Sequence, residues 1–572
     1  MKEFITLWNK FVGKTYDAVN TSPNVASHNK TKEHLQKRHL KSSWSTATKY
    51  RSSIAIAILG IAGILIGTAI NIVDPYDIIF RWKLIFEEGG EIFELWRKPP
   101  VELYLKVYLW NVTNKEEYMS GEHDKLRVQE VGPYVYRELM AHENVTFNKN
   151  GTLTAVPKHP LEWVEELSMG RKEDDLLILP NIALLSIADV VSESSYFTKM
   201  GLNIVVRQTE SEPLVQMTAK EFMFGYSSTL MTLGNSFMPS WIYFEKLGLI
   251  DRMYDFEGDY ETVYNGQKLG LKNIGLIEKY RGSTKIPQWD SPCGDIMGAS
   301  DGTKFPGYIE PNDTLLFFRK SMCRAKSLVK VNETISNGLK AYVYHFDSEA
   351  DDNGWVHERN KCFCKREGKC LPKGLLDVRE CYYGFPIALS YPHFLDGDKV
   401  LTAKVNGTDP ERKKHESYFI IQPESGLPIE LSVRYQINMA LGDIKAIANC
   451  DKFDNMVLPL LWTDIKMDKL PDNLSTRFRL YLNVLPLMEE YLVYALFIGG
   501  AIFIIVSIYK IFQLRHSDFS FEDPWIEDEI VHNIDRKLSS YIPEKRRSLA
   551  DKEIEVYIEN MIPLKTENQK YV

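Results

Sequence analysis

The chain has 572 residues, of which 44% are hydrophobic and 26% are charged, and 69 basic against 77 acidic side chains give a formal net charge of −8. This composition excludes a disordered, collagen-like or small disulfide-rich protein, and the acidic balance excludes a chain that coats nucleic acid. The hydrophobic content suffices for a large buried core.

The first predicted element is a membrane-spanning helix. Residues 1–51 hold ten basic and three acidic side chains, and residues 52–73 contain no charge. At 1.5 Å per residue, a helix of this length crosses a hydrocarbon core of about 30 Å. The run is too long and too far from the N-terminus for a cleaved signal peptide, so we predict an uncleaved anchor behind a cytoplasmic basic segment.

A second charge-free run, residues 491–509, has tyrosines at both ends, as interfacial anchoring favours. Two crossings place residues 74–490 outside and residues 510–572 in a cytoplasmic tail. We predict a two-span protein of the plasma membrane with both termini cytoplasmic, and an endosomal or lysosomal pool as the alternative residence. Gly63 and Gly67 give the first span a small-residue face, which is a candidate surface for a homo-oligomer.

Glycosylation sequons and cysteines agree with this topology. Asn20 and Asn29 precede the first span and are expected to stay unmodified. The other acceptors lie between the spans, in the compartment where glycosylation and disulfide formation take place. The predicted glycosylation sites are Asn111, Asn144, Asn150, Asn312, Asn332, Asn406 and Asn473.

All seven cysteines also lie between the spans. A zinc site at Cys362-x-Cys364 with His357 would need thiolates to persist, which an oxidising lumen disfavours, so no metal site and no cofactor are predicted. An odd number leaves one thiol unpaired, and isolated Cys450 is the candidate. The remaining cysteines permit many pairings, among which the sequence alone does not choose.

Between the spans, strand signals alternate with turn residues. Strands are predicted at Val101–Trp110, at Tyr134–Tyr136 after a turn at Val131-Gly132-Pro133, at Ala341–Phe346 and at Tyr418–Gln422. The stretch Asn181–Tyr226 is largely free of Gly and Pro, and Thr218 to Glu221 has the spacing of a capping box. We therefore predict a mostly β domain with helices inserted over residues 181–226.

The sequence contains no motif that carries catalysis. It lacks a nucleophile elbow, a phosphate-binding loop and a calcium loop, and His357-Glu358 is not followed by the second histidine of a zinc protease. We predict that the protein is not an enzyme and has no catalytic residues.

Several motifs occur in a characteristic order along the chain. They are Glu88-Gly89-Gly90, Val131–Arg137, Leu179-Pro180-Asn181, Tyr264-Asn265-Gly266, Cys293-Gly-Asp-Ile, Cys362-Phe-Cys364, Gln422–Gly426 and Pro459–Trp462. With these motifs the chain resembles the class B scavenger receptor family, which includes the fatty-acid translocase, the lysosomal integral membrane protein and the insect sensory neuron membrane proteins. The resemblance covers both membrane runs and the whole segment between them.

The resemblance implies a mainly β fold with α: an antiparallel β-barrel-like ectodomain with an apolar tunnel, a helical apex at about residues 181–226 and two transmembrane helices. It also implies the disulfides Cys293–Cys362, Cys323–Cys381 and Cys364–Cys370, and it gives Cys450 no partner.

The function implied by the resemblance is a cell-surface scavenger receptor that binds lipidic ligands at the apex and passes them through the tunnel to the membrane, with endocytic uptake. Its partners would be lipids, sterols, carotenoids or lipoprotein particles, and no nucleic acid. Relatives that bind anionic particles carry clustered lysines on the apex, whereas residues 207–213 here place one base beside two acids. The remaining basic candidates for ligand contact are Lys199, Arg207 and Lys220.

Two alternatives belong to other functional classes. The first is an adhesion or sorting receptor that grips a protein ligand with the apex. The second is a trimeric two-span ion channel, which the absence of ionisable residues from the second span disfavours.

Overall fold

A computed structural model of the chain describes residues 30–228, 230, 246–365 and 370–519, with side chains described between residues 50 and 516 of these ranges. Residues 1–29, with Asn20 and Asn29, and the tail from residue 520 lie outside the described residues. The chain divides into two units. One holds the apolar helices up to Val73 and from Tyr491, and the other is Asp74–Glu490.

Some of the helices follow one another directly, and the others are separated by strands. In chain order the described helices are α1 (Lys30–Val73), α2 (Pro75–Leu84), α3 (Glu91–Arg97), α4 (Lys115–Ser120), α5 (Ile182–Ser192), α6 (Tyr196–Gln208), α7 (Ala219–Phe224), α8 (Leu249–Met253), α9 (Arg412–His415), α10 (Asp472–Arg479) and α11 (Leu485–Phe519).

Helices α1 and α11 are long and apolar enough to cross a membrane. Both extend beyond the charge-free runs at residues 52–73 and 491–509. Hydropathy marks only the residues that match the hydrocarbon core, whereas helical hydrogen bonding continues into the polar flanks. The sequence therefore predicts the spans but not the helix ends.

Within the first unit, α1 packs on α11 through glycines. A Cβ atom at Gly60 would lie 2.7 Å from the carbonyl oxygen of Gly500, and a Cβ at Gly500 would lie 2.7 Å from that of Gly60. Gly63 and Gly67 lie against Leu496 of the same chain. The homo-oligomer through Gly63 and Gly67 stays a prediction, and the structure gives both residues an intrachain neighbour.

The described strands all lie in the second unit. They are β1 (Leu103–Val112), β2 (Leu126–Glu138), β3 (Ala141–Phe147), β4 (Thr152–Lys158), β5 (Leu161–Trp163), β6 (Leu176–Pro180), β7 (Leu214–Thr218), β8 (Tyr226–Ser227), β9 (Lys246–Leu247), β10 (Glu261–Tyr264), β11 (Ile277–Tyr280), β12 (Leu315–Arg319), β13 (Arg324–Ser336), β14 (Leu339–Phe346), β15 (Leu376–Asp377), β16 (Ile387–Ser390), β17 (Val405–Asn406), β18 (Tyr418–Gln422), β19 (Leu427–Ala440) and β20 (Val457–Met467).

The second unit is built on a 12-stranded, mainly antiparallel sheet whose principal order is β12-β13-β14-β18-β19-β20-β1-β2-β17. A four-stranded sheet has the order β11-β10-β4-β3. The predicted fold class, mainly β with inserted helices and two long apolar helices, is confirmed.

The turn predicted at Val131-Gly132-Pro133 is wrong, because β2 runs through these residues without a break. The pairing of β1 with β2 shifts register between Val107 and Leu109, opposite this point. A Cβ at Gly132 would lie 2.7 Å from the ring of Tyr108, so glycine leaves space for that side chain. Turn-type residues inside a strand here mark a bulge.

The inserted helices occur where the sequence predicts them. Residues 181–226 form α5, α6 and α7, and Thr218 and Glu221 make the reciprocal hydrogen bonds of a capping box at the start of α7. The same stretch also contains β7, which pairs with β6 and which the sequence analysis did not predict.

Candidate functional site

The structure contains three disulfide bonds, and they join the pairs that the resemblance implies: Cys293–Cys362, Cys323–Cys381 and Cys364–Cys370. Cys450 is buried and free. The thiols near His357 are therefore oxidised, so they do not serve as zinc ligands. 

The sequons between the spans lie on strands and loops of the second unit and, for Asn473, on helix α10. Asn111 is partly buried, and its Oδ1 accepts a hydrogen bond from the backbone N–H of Ile178 (2.9 Å). The others have exposed side chains, which leaves room for a glycan at each: Asn144, Asn150, Asn312, Asn332, Asn406 and Asn473. Glycosylation at all of these positions stays a prediction.

Helices α5 and α6 form a helical pair between the strands β6 and β7. Asn181 caps α5 by accepting the backbone N–H of Leu184 (3.1 Å). Most of α5 is buried, including Asp189, whose Oδ2 lies 2.8 Å from Arg379 Nη2. The first helix of the pair is thus part of the core.

Helix α6, in contrast to α5, is mostly exposed or only partly buried. Asn203 fixes it to a neighbouring loop, because its side-chain amide donates to the carbonyl of Ala446 (2.8 Å) and accepts from the N–H of Ala448 (2.7 Å). Its outer surface carries four large hydrophobic side chains at helical spacing, which we call the apolar face of α6. They are Tyr196, Phe197, Met200 and Ile204, which are 74%, 80%, 46% and 56% exposed.

The three basic candidates lie on two elements. Lys199 and Arg207 are on α6, partly buried and exposed respectively, and within the described residues neither forms an ion pair. Lys220 is on α7, and its Nζ lies 2.8 Å from Glu173 Oε2. The structure does not join these residues into one basic patch, and their role in ligand contact stays a prediction.

A cavity of about 760 Å³, here called the main cavity, lies beside the Cys323–Cys381 disulfide. Its aromatic wall is held by hydrogen bonds to the segment that carries Cys323. The indole N–H of Trp289 donates to the carbonyl of Cys323 (2.6 Å), and the hydroxyl of Tyr382 donates to that of Ser321 (3.1 Å). Burial raises the pKa of Tyr382, so this hydroxyl stays a donor.

The main cavity also has charged walls. Arg252 lies 2.5 Å from Asp251 and 3.2 Å from Asp255, and Lys320 Nζ lies 2.7 Å from Asp259. Aromatic rings and paired charges therefore line one space, which suits an amphiphile with a polar head and an apolar body.

Two smaller cavities have mainly apolar walls. The first, about 20 Å³, is lined by Ile437 of β19, Ile182 of α5 and Leu389 of β16, and it shares Tyr382 and Tyr383 with the main cavity. The second, about 80 Å³, is lined by residues that include Leu431 of β19, Leu103, Met467 and Phe478. We call them the Ile437 cavity and the Leu431 cavity.

Both small cavities lie along one face of β19. Side chains of a strand alternate between its faces, so Leu431, Val433, Tyr435 and Ile437 point to the same side, and Leu431 is about 20 Å from Ile437. Between the cavities Val433 and Tyr435 are buried, 4% and 6% exposed.

Aromatic rings pack against Tyr435, which lies between the two small cavities on this face of β19. The ring of Phe346 lies 5.7 Å from that of Tyr435 and 5.6 Å from that of Phe419, which in turn is 5.2 Å from Phe317. The hydroxyl of Tyr435 is buried and has no hydrogen-bond partner among the described residues. A tunnel that joins the cavities stays a prediction, and these rings are what would have to move.

No spacing pattern in the sequence marks the cavity walls, because they assemble from distant segments. The apolar face of α6 is also not predicted above, although the hydrophobic residues at 196, 197, 200 and 204 follow helical spacing and are a usable signal.

Comparison with known proteins agrees with this architecture. The family model described as the CD36 family matches residues 53–511. Scavenger receptor class B member 1 of Bos taurus is 28% identical over 473 residues, which cover 82% of this chain and 90% of the bovine protein. The Mus musculus protein of that name is 30% identical, covering 75% of this chain and 82% of its own length. Lysosome membrane protein 2 of Homo sapiens is 29% identical, covering 68% and 80%. With its two apolar helices the chain is a two-span membrane protein, and it belongs to the CD36 family.

Proposed function

We propose that this protein is a scavenger-type receptor that takes a lipid into the main cavity. The apolar part of that lipid then passes to the membrane along the face of β19 on which the two small cavities lie. The observation that carries the proposal is the placement of two apolar cavities about 20 Å apart on one strand face, one of which shares wall residues with the main cavity. The names of its relatives support the receptor role.

The driving force for entry is removal of the lipid tail from water. Burial gains roughly 0.8 kcal/mol per CH₂, so a tail of about sixteen carbons gains on the order of 10 kcal/mol. The same gain opposes release into water, whereas release into a bilayer keeps the tail in an apolar medium. Transfer of this kind needs no nucleophile, metal or ATP, in keeping with the absence of catalytic motifs.

The aromatic rings between the small cavities act as the gate in this proposal. Passage of a tail requires the rings of Phe346, Phe419 and Tyr435 to move apart. The buried hydroxyl of Tyr435 has no partner among the described residues, so a hydroxyl or carbonyl of the passing lipid would complete its hydrogen bonding.

The test is photolabelling of the full-length protein in lipid nanodiscs with diazirine analogues of cholesterol and of a long-chain fatty acid. We expect saturable labelling, competed by the unlabelled lipid, at residues that line the main, Ile437 and Leu431 cavities. Labelling that cannot be competed, or that falls only on lipid-facing residues of α1 and α11, would contradict the proposal.

A second candidate function is capture of a protein ligand. The apolar face of α6 favours it, because exposed contiguous hydrophobic groups on a fixed helix are typical of interaction surfaces. In this case Phe197→Ser together with Met200→Ser would abolish ligand capture and leave lipid labelling of the cavities unchanged. Loss of both activities together would point to a shared entry site for lipid.

A further inference from the structure

A buried histidine and two carboxylates converge in the second unit, beside the wall that Trp96 and Thr303 contribute to the Leu431 cavity. His142 is on β3, Glu261 is on β10, and Asp301 follows Ser300, which bridges to Phe317 of the large sheet. His142 Nε2 lies 3.2 Å from Glu261 Oε1 and 3.3 Å from Asp301 Oδ2. The side chains of His142 and Glu261 are 1% and 5% exposed.

The other ring nitrogen of His142 fixes the chemistry of the cluster. His142 Nδ1 lies 2.9 Å from the carbonyl oxygen of Trp96, and because a carbonyl has no proton to give, Nδ1 is the donor. A neutral ring then presents the lone pair of Nε2 to two carboxylate oxygens. Three electron-rich atoms repel one another at this distance, so a cation must lie among them.

A proton on Nε2 satisfies only part of this arrangement. It can be shared with Asp301 Oδ2, but Glu261 Oε1 is buried and has no hydrogen-bond partner among the described residues. The second oxygen of Asp301 already accepts from the N–H (2.9 Å) and the hydroxyl (2.6 Å) of Thr303, which leaves Oδ2 free for the cation. Burying a carboxylate oxygen without a partner is costly, and a metal ion would contact all three atoms at once.

Neighbouring basic side chains are paired with other carboxylates. Arg319 Nη2 lies 3.1 Å from Glu138 Oε1, and Lys320 Nζ lies 2.7 Å from Asp259 Oδ2. A cavity of about 30 Å³, lined by Glu261 and Asp301 as well as by these two bases, adjoins the cluster. A cavity of this size holds one water.

We propose that His142 Nε2, Glu261 Oε1 and Asp301 Oδ2 bind one zinc ion, with a water in the adjoining cavity as the fourth ligand. A tetrahedral zinc ion with bonds of about 2.0–2.1 Å sets its ligands about 3.3 Å apart, which matches the two distances from Nε2. Calcium requires six to eight oxygen ligands, and imidazole nitrogen favours zinc.

The role of the zinc ion is structural. In the four-stranded sheet β4 lies between β3 and β10, so the ion joins two strands that are not neighbours and ties both to the loop at Asp301. The carbonyl of Trp96 and the two donors of Thr303 hold the first ligands in orientation, as outer partners of metal ligands do.

The test is metal analysis of the full-length protein, purified in detergent with a tag that contains no histidine. The protein is equilibrated with micromolar zinc and freed of unbound metal, and its zinc content is measured by inductively coupled plasma mass spectrometry. We expect one zinc per chain for the wild type and a loss of affinity of at least about tenfold for Asp301→Asn and Glu261→Gln. His345→Gln is the matched control, a partly buried histidine 3.2 Å from the carboxylate of Glu416 and outside this cavity, and should keep the zinc.

Further readouts separate loss of zinc from loss of folding. Thr303→Ala keeps all three ligands and should weaken zinc binding by about tenfold. Zinc should raise the thermal midpoint of the wild type and leave that of Asp301→Asn unchanged. A wild type that takes up no zinc, or an Asp301→Asn variant that takes up as much as the wild type, would overturn the proposal. A sulfur ligand in the zinc X-ray absorption spectrum would also overturn the proposal, since a sulfur ligand would place the ion on a cysteine.

Discussion

Asp189 Oδ2 lies 2.8 Å from Arg379 Nη2, and this ion pair joins the buried helix α5 to the turn that carries Cys381. Asp189 Oδ1 also accepts the backbone N–H of Gly442 (2.7 Å). The helical pair and the wall of the main cavity are therefore linked through one carboxylate.

We predict that Asp189→Asn destabilises the protein, because the amide keeps the shape of the side chain but leaves the guanidinium of Arg379, which is only 14% exposed, without this counter-charge. Breaking a buried pair in this way costs about 3–5 kcal/mol. Urea unfolding of the full-length protein, followed by tryptophan fluorescence, measures the change. Glu212→Gln is the control: it removes the partner of Lys115 in an exposed pair (2.7 Å) and should cost less than about 1 kcal/mol. Equal shifts for the two variants would contradict the assignment.

The three disulfides are expected to contribute unequally to stability. Cys323–Cys381 closes a separation of 58 residues and Cys364–Cys370 one of 6. In the chain-entropy model their removal as Cys-to-Ser pairs costs about 4 and about 2 kcal/mol respectively. The same unfolding measurement gives the order, with Cys450→Ala as the variant that removes no disulfide. A larger loss from the Cys364–Cys370 pair would show that strain or local packing outweighs loop closure.

Stability is predicted to fall in acid through His415. The N–H of Glu411 donates to Nδ1 of His415 (2.9 Å), and burial together with the neighbouring ring of His393 lowers the pKa of His415 from 6.5 to about 4. Between these values the unfolded chain binds a proton that the folded chain does not, so stability decreases as pH falls from about 6.5 to about 4.

The thermal midpoint measured across this pH interval tests the role of His415. His415→Gln keeps a hydrogen-bond acceptor but cannot take up the proton, so its midpoint should depend less steeply on pH than that of the wild type. An unchanged slope in His415→Gln would assign the acid sensitivity to other groups.

Packing between the two spans depends on Gly60 and Gly500. Ser507 Oγ donates to the carbonyl of Ser53 (2.7 Å), so a Ser53→Cys, Ser507→Cys pair should cross-link within one chain. Gly60→Ile should abolish the cross-link, because its side chain would enter the space of the Gly500 carbonyl. Gly499→Ile is the matched control, since a Cβ there has no heavy atom within 4 Å. A cross-link that survives Gly60→Ile would contradict this packing.

The sequence predicts those features whose cause is local. The strand Tyr418–Gln422 has the predicted bounds, and the capping box at Thr218 needs only residues three apart. The assignment of Gly132 to a turn is wrong because glycine is needed there to leave space for the ring of Tyr108. That ring is on the neighbouring strand, which the local sequence does not show.

The disulfide pairs followed from family resemblance and not from residue spacing. The cluster of His142, Glu261 and Asp301 gave no signal at all, because its members are far apart in the chain and each looks like an ordinary surface residue. No ligand spacing in the sequence therefore marks this cluster as a metal site. The same is true of the cavity walls along β19, which combine α5, β16 and the distant α10.

The most direct test of the lipid route is the rate at which cells that express the protein take up a fluorescent cholesteryl ester from donor particles, normalised to the amount of protein at the surface. Ile437→Trp and Leu431→Trp fill the two small cavities, whereas Ile335→Trp adds the same ring at a position that is 78% exposed. The account predicts that uptake falls to the level of untransfected cells for the first two variants and is unchanged for the third. Normal uptake with both cavities filled would contradict a route along β19.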